Sequence, residues 1–340
     1  MGTLSKVTKH FPTPGFLAMS SASVNISNSA LRFIELREKN GSVQVYRYNE
    51  DLFKKNVVSG GEIKDQNTLI SLLKALREKY SLNFINASLP QEQGFVYVTT
   101  APKVSQNEIR ESLEFEFEKN VPLSIDQSVF DFDIIGEKEN EYQVTVYAFP
   151  KKLVDQYVSV LHSAGLTPVS FEPESRALSR AAVSWGDDQT YILVHLKEFL
   201  TNISIVSDEK IIFTSTISKG VRELRDPEKS VELKDESFEG REWLKNEVSK
   251  TKHYWNDYHA KLSLSEGDGM AHKVIVCGEG LGEEKVSEEV LFQLGSETEL
   301  ANVWKNVMSF DSHIPEIDYE DSFRYGEVVG LALKQFQKDL

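Results

Sequence analysis

An order of elements that occurs twice constrains this chain more than any single motif does. Three strand-like runs come in quick succession near the start. The run 21–27 carries Val24 and Ile26, and the run 43–48 follows the turn residues Asn40 and Gly41. Between them, 31–36 alternates, with Leu31, Phe33 and Glu35 on one face and Arg32, Ile34 and Leu36 on the other. A helix opened by Asp65 comes next, with Leu69, Leu72, Leu73, Leu76 and Tyr80 at helical spacing. A strand over 83–89 stops at Pro90. From Tyr191 the order begins again, with strands over 191–196, 200–206 and 210–215 separated by short polar turns. A charged stretch from Arg222 to Glu239 reads as a solvated insertion. Then come a long helix stepping through Leu244, Val248, Thr251, Trp255, Tyr258 and Leu262, a strand over 273–277, and a Gly-rich turn. Helices are expected near 298–308 and 322–337. The residues of the two halves do not match, so only the order β-β-β-α-β-α repeats. A chain of 340 residues is too long for one ordinary core, and two lobes of equal plan follow.

A third unit lies inside the first half. Ser105 and Glu108 form a capping-box pair, and Ile109, Leu113 and Phe117 make the buried stripe of the helix it opens. Pro122 ends that helix. Strands over 128–135 and 142–149 flank a charged turn, and a helix over 152–164 stops at Gly165. The expected boundaries are a flexible tail over 1–18, a first lobe over 19–188 with a small α+β insertion at 92–166, and a second lobe over 189–340. The helix 322–337 is expected to pack back on the first lobe.

Composition removes several function classes. The 53 acidic residues against 38 Lys and Arg leave a formal charge of −15, with no segregated basic face, which disfavours nucleic acid as a partner. One cysteine, Cys277, excludes an internal disulfide framework and a thiolate metal cluster and fits a reducing compartment. No apolar run approaches the ~18 residues of a membrane span, and residues 1–10 lack the apolar core of a signal peptide. The expectation is a soluble cytoplasmic protein.

Several segments, taken in order, resemble the PilM family of type IV pilus assembly proteins, relatives of the division protein FtsA. NISNSALRFIEL (25–36) lies where the family has its first phosphate hairpin. ASLPQ (87–91) matches the strand leading into the inserted module, and ESLEFEFEKNVPLS (111–124) resembles its acidic helix ending in Val-Pro. HSAGLTPVSFEPESRALSRA (162–181) resembles the return to the first lobe. RYGEVVGLALK (324–334) resembles the closing helix. The resemblance implies an α/β, actin-like (ASKHA) two-lobed fold with duplicated lobes and a nucleotide site between them. It also implies a first-lobe surface that takes a short N-terminal peptide of the membrane protein PilN.

The nucleotide site that this implies is incomplete. Phosphate hairpins of the superfamily carry Asp-x-Gly, the carboxylate for Mg²⁺ and the glycine for close backbone approach to phosphate. Here the first hairpin offers Asn25, Ser27, Asn28 and Ser29, which can donate to phosphate oxygens or simply form a turn. In the second, His195 stands at the expected aspartate, and Lys197 offers a positive charge opposed by Glu198. The Gly278, Gly280 and Gly282 loop resembles the adenosine loop of the family, and Glu247 and Lys250 lie where relatives contact ribose or base, or form an exposed ion pair. No P-loop, His-Glu-x-x-His or Gly-x-Ser-x-Gly motif occurs, and the seven histidines show no metal-ligand spacing. No catalytic residue and no metal site are expected; MgATP, if it binds, should bind weakly.

The function expected from this is an adaptor of the pilus inner-membrane platform with a degenerate nucleotide site. It would be cytoplasmic and held at the membrane through partners: a PilN-like peptide, other platform components, or further copies of itself. Candidate walls for the peptide are Phe115, Phe117, Val121, Phe130 and Phe132, which serve equally as the core of the module. The alternative is an active ATPase or kinase of the same superfamily. A filament former like FtsA is a third reading, disfavoured because no terminal amphipathic membrane helix is evident.

Overall fold

The computed structural model describes residues 22–39, 41–54, 56–225, 242–262, 271, 273–307 and 314–337. The expected tail and most of the charged stretch after Arg225 lie outside these residues. The first lobe holds β1 (Ser23–Ile26), β2 (Ala30–Lys39), β3 (Ser42–Leu52), a short hairpin of β4 (Val58–Ser59) and β5 (Glu62–Ile63), helix α1 (Gln66–Tyr80) and β6 (Phe84–Leu89). The module follows as β7 (Phe95–Pro102), α2 (Gln106–Asn120), β8 (Ser128–Glu137) and β9 (Glu141–Pro150). Helix α3 (Lys151–Ser163), β10 (Thr167–Pro173) and α4 (Glu174–Ala182) return the chain to the first lobe. The second lobe holds β11 (Thr190–Leu196), β12 (Thr201–Ser207), β13 (Lys210–Ile217), α5 (Val221–Arg225), α6 (Trp243–Leu262), β14 (Lys273–Gly278), α7 (Glu284–Leu294) and β15 (Thr298–Leu300). Short α8 (Tyr319–Ser322) and the closing helix α9 (Gly326–Leu333) end the described chain.

The repeated order becomes a repeated topology. One sheet runs β10-β6-β1-β2-β3 and the other β15-β14-β11-β12-β13. In each, the first strand pairs antiparallel with the next in sequence and parallel with the strand that follows the helix. Local signals account for the helix starts. The Asp65 carboxylate accepts the Thr68 N–H at 3.0 Å, and the Glu108 carboxylate accepts the Ser105 N–H at 3.0 Å, which satisfies donors that the first turn leaves over.

Strand alternation then sorts the layers. Leu31 and Phe33 of β2 face α1 and α3, whereas Ile34 and Leu36 face a central core shared with the second sheet. Ile192, Val194 and Leu196 of β11 face α6 and α7, and Leu193 faces the same central core. Helices α4 and α9 fill that core, giving an α/β/α/β/α stack. The module has its own core around Ile109, Leu113, Phe117 and Val146. It also touches the second lobe: Val98 and Ile135 pack near Ile212 and Trp255, and the Thr145 hydroxyl donates to the Ile211 carbonyl at 2.8 Å.

Two expected helices are corrected. The stretch 298–308 begins as strand β15, parallel to β14 with Val274 opposite Thr298, and continues as turns. The helix of this region lies earlier, as α7, where Val286, Val290 and Gln293 are buried at steps of four and three. The stretch 322–337 divides into the end of α8, a 3-10 turn at Phe323–Tyr325, and α9. Strands β7 and β10 had no counterpart among the expected elements. Pro168 and Pro173 disguise β10, which tolerates them as an edge strand irregular between Pro168 and Ser170.

Candidate functional site

The alternation that buries aliphatic side chains outward also turns polar ones inward, toward the cleft between the sheets. Asn25 of β1, Arg32 of β2, Ser88 of β6 and His195 of β11 are all buried there, and Lys197 just beyond β11 continues the inner face. None of these polar groups can be left unsatisfied without a cost of a few kcal/mol, about 1–3 for a neutral group and more for a charge. The chain's own carboxylates meet most of that demand, leaving Oδ1 of Asn25 without a partner among the described residues.

Two ion networks cross the cleft. In the first, the Lys197 ammonium lies 2.5 Å from Glu174 and 3.0 Å from Glu92. The Gln91 N–H donates to Glu174 at 3.1 Å, and the Asn25 amide donates to Ser88 at 3.0 Å and toward Glu174 at 3.4 Å. His195 Nδ1 lies 3.4 Å from Glu327 at the start of α9. Burial is the largest influence on every group here. It pushes His195 down to about 4, with Lys197 reinforcing it, so the imidazole is neutral. Burial and the neighbouring Glu327 push Glu174 up to about 8, and burial pushes Glu327 up to about 7. Although burial disfavours its charge, Lys197 is held well above the usual lysine range by Glu174 and Glu92. The Lys197 ammonium stays charged, while burial holds Glu174 and Glu327 toward their neutral forms.

In the second network, Arg32 bonds Glu50 at 2.8 Å and Glu279 at 3.0 Å, and Arg324 reaches Glu50 at 2.9 Å. Glu279 occupies a telling place. Its carboxylate accepts the Ser29 hydroxyl from the first hairpin and the Glu198 backbone N–H, at 3.0 Å, from the second. Those are the donor types that hairpins offer to a phosphate. Burial opposes its charge, but Arg32, Ser29 and Glu198 outweigh that and hold the carboxyl below its ordinary range. A side chain of the turn after β14 thus joins the two hairpins, one from each lobe.

The residues singled out in the sequence therefore divide. Asn25, Ser27, Ser29 and Lys197 converge on the cleft. Asn28 turns away, with its side-chain carbonyl accepting the Gly61 N–H at 3.3 Å. It lines a crevice of about 890 Å³ that opens beside the cleft and also takes in Ser29, Phe53, Glu92, Phe199 and Thr216. Glu247 and Lys250 pair with each other at 2.7 Å on the outside of α6. Gly278 has φ +125°, and a side chain there would overlap the Leu196 carbonyl; the neighbouring strand alone demands a glycine here. Phe117, Val121 and Phe130 lie in the core of the module with Phe132 packed against them, whereas Phe115 is 88% exposed.

The carboxylates Glu92, Glu174, Glu279 and Glu327 escaped the sequence reading. A signal existed for two of them. Glu174 and Glu327 are lone acids in Ala-, Leu- and Val-rich helices, and both are buried. Cys277 lies on the same inner face, fully buried, donating to the Phe323 carbonyl at 2.9 Å, and burial pushes its thiol up. The folded protein should therefore be inert to a disulfide-type thiol reagent and react with one equivalent once denatured. Rapid native labelling, followed by absorbance, would contradict this packing.

The comparisons with known proteins fit this architecture. The family described as "Type IV pilus assembly protein PilM" matches residues 23–256. A solved structure titled "PilM-PilN type IV pilus biogenesis complex" superposes with a TM-score of 0.72 at 16% identity, covering 93% of this chain and 98% of that one. The ethanolamine utilization protein EutJ from Carboxydothermus hydrogenoformans superposes with a TM-score of 0.51 at 15% identity, covering 95% of this chain and 91% of its own. No curated protein matches. Among the described residues, no helix is long and apolar enough to cross a membrane. The doubled sheet topology is that of the actin-like fold shared with these structures, and the match over 23–256 shows that the chain belongs to the PilM family of type IV pilus assembly proteins.

Proposed function

We propose that this chain is an adaptor of the pilus inner-membrane platform that binds the N-terminal peptide of a PilN-like membrane protein and does not turn over nucleotide. The observation that carries this reading is Glu279, which already takes donors from both hairpins, together with Lys197, which is consumed by Glu174 and Glu92. A triphosphate entering the cleft would have to displace one buried carboxylate and then face Glu92, Glu174 and Glu327. The partner is argued from the similar solved complex, whose title pairs PilM with PilN. The acidic surface, with a formal charge of −15, suits a partner tail bearing Lys or Arg. Attachment at the inner membrane would then come through that partner.

Two titrations test the reading. Calorimetry with MgATP should show no binding up to about 1 mM, a limit near −4 kcal/mol. Micromolar binding with phosphate release would establish the active ATPase instead. A synthetic N-terminal peptide of the PilN-like protein should bind, and Phe115→Ala should weaken it about tenfold, or about 1.4 kcal/mol, because that ring is the one exposed aromatic on the helix of the module. Absence of binding at about 100 μM peptide would remove the adaptor assignment.

A further inference from the structure

We propose that Glu174, His195 and Glu327 form a binding site for a first-row divalent cation of the zinc type, joining the first lobe, the second lobe and the closing helix. One ligand atom from each of the three side chains lies within 4.8 Å of the others, and all three residues are buried. They come from the start of α4, the end of β11 and the start of α9. This goes beyond the adaptor reading and does not depend on it.

Charge, vacancy of lone pairs and ligand type all favour such an ion. Glu92 and Glu174 both lie against one ammonium, that of Lys197, and Glu327 lies beside His195. Counted formally, three carboxylates against one ammonium leave two negative charges in excess, which one divalent cation balances as it displaces protons. Lys197 and the Gln91 N–H both sit on Oε2 of Glu174, which leaves Oε1 with the long 3.4 Å contact from the Asn25 amide. Among the described residues, Oδ1 of Asn25 has no hydrogen-bond partner and Oε1 of Glu327 has only the 3.4 Å contact with His195 Nδ1, although these residues are only 1% and 3% exposed. Buried acceptors without donors are rare. The Asn25 amide already faces Glu174, and rotating it by half a turn brings Oδ1 there as a further oxygen ligand. One imidazole nitrogen with two carboxylates suits zinc-type ions, whereas Mg²⁺ prefers an octahedron of oxygens.

The full-length protein, freed of metal with a chelator and exchanged into clean buffer, would be titrated with Zn²⁺ and separately with Mg²⁺ by calorimetry and thermal melting. One zinc per chain should bind at about 10 μM or tighter and raise Tm, with Mg²⁺ inert at the same concentrations. His195→Asn and Glu327→Gln should each weaken zinc by about tenfold or more, while His253→Asn, on the exposed face of α6, should leave it unchanged. No zinc binding below about 100 μM, equal response to Mg²⁺, or binding that survives both variants would overturn the site. If either variant fails to fold by circular dichroism, crystals of the native protein soaked in zinc decide the matter. An anomalous peak among the three side chains supports the site, and a peak elsewhere or none overturns it. Either result leaves the peptide and MgATP titrations to stand or fall by themselves.

Discussion

Replacing Lys197 with methionine should cost the fold about 3–5 kcal/mol, the loss expected when one partner of a buried ion pair is removed. The side chain is 4% exposed and lies between Glu174 at 1% and Glu92 at 7%, so no water can take over the charge that is left. Urea unfolding followed by fluorescence would show a lower midpoint at unchanged slope. Adding Glu174→Gln to Lys197→Met should recover part of the loss, because the second change removes an orphaned carboxylate rather than a contact. A single-variant loss under about 1 kcal/mol would place the network at the level of a surface pair and deny it any role in holding the lobes.

The second large effect is expected at Gly330. In an exposed helix, changing glycine to alanine gains about 1 kcal/mol. Here the sign should reverse. A Cβ on Gly330 would overlap the backbone carbonyl of Ala177, where α9 crosses α4. The Gly330 carbonyl also accepts the Arg180 guanidinium at 2.9 Å, which pins the crossing further. Both helices lie in the central layer and touch both sheets, so neither can withdraw without disturbing four strands or more. Gly330→Ala should lose about 3 kcal/mol, the upper range for overpacking, and a leucine there should prevent folding. A melting temperature at or above that of the parent would mean that the helices stand further apart than described.

Much of this architecture could be read from local pattern. The alternation of β2 sorts its residues into two faces, and Phe33 and Ile34 take opposite layers accordingly. Asp65 and Ser105 marked helix starts because capping is a matter of three or four residues. Segment 298–308 was misread because Thr298 and Leu300 are held by a partner strand that begins at Lys273, which no window around residue 300 contains. The partners of the cleft residues lie beyond any local window for a similar reason. Lys197 and Glu198 looked mutually opposed as neighbours, yet they point opposite ways. Lys197 goes inward to Glu174, and Glu198 goes outward to Arg225 at 2.6 Å. The carboxylates that complete the site come from positions 50, 92, 174, 279 and 327, and only the closed fold gathers them.

The inserted module rests on both sides of the cleft through unequal means. It is covalently continuous with the first lobe, while Thr145, Val98 and Ile135 brace it on β13 and beside Trp255. Load applied to the module, whether from a tethered tail or a neighbouring subunit, is therefore shared between the halves at once. A pull that would swing a free appendage must here shear aliphatic packing and one hydroxyl bond before it can turn anything. The module is thus a stay across the opening rather than a loose appendage, and its stiffness sets how readily the halves can part.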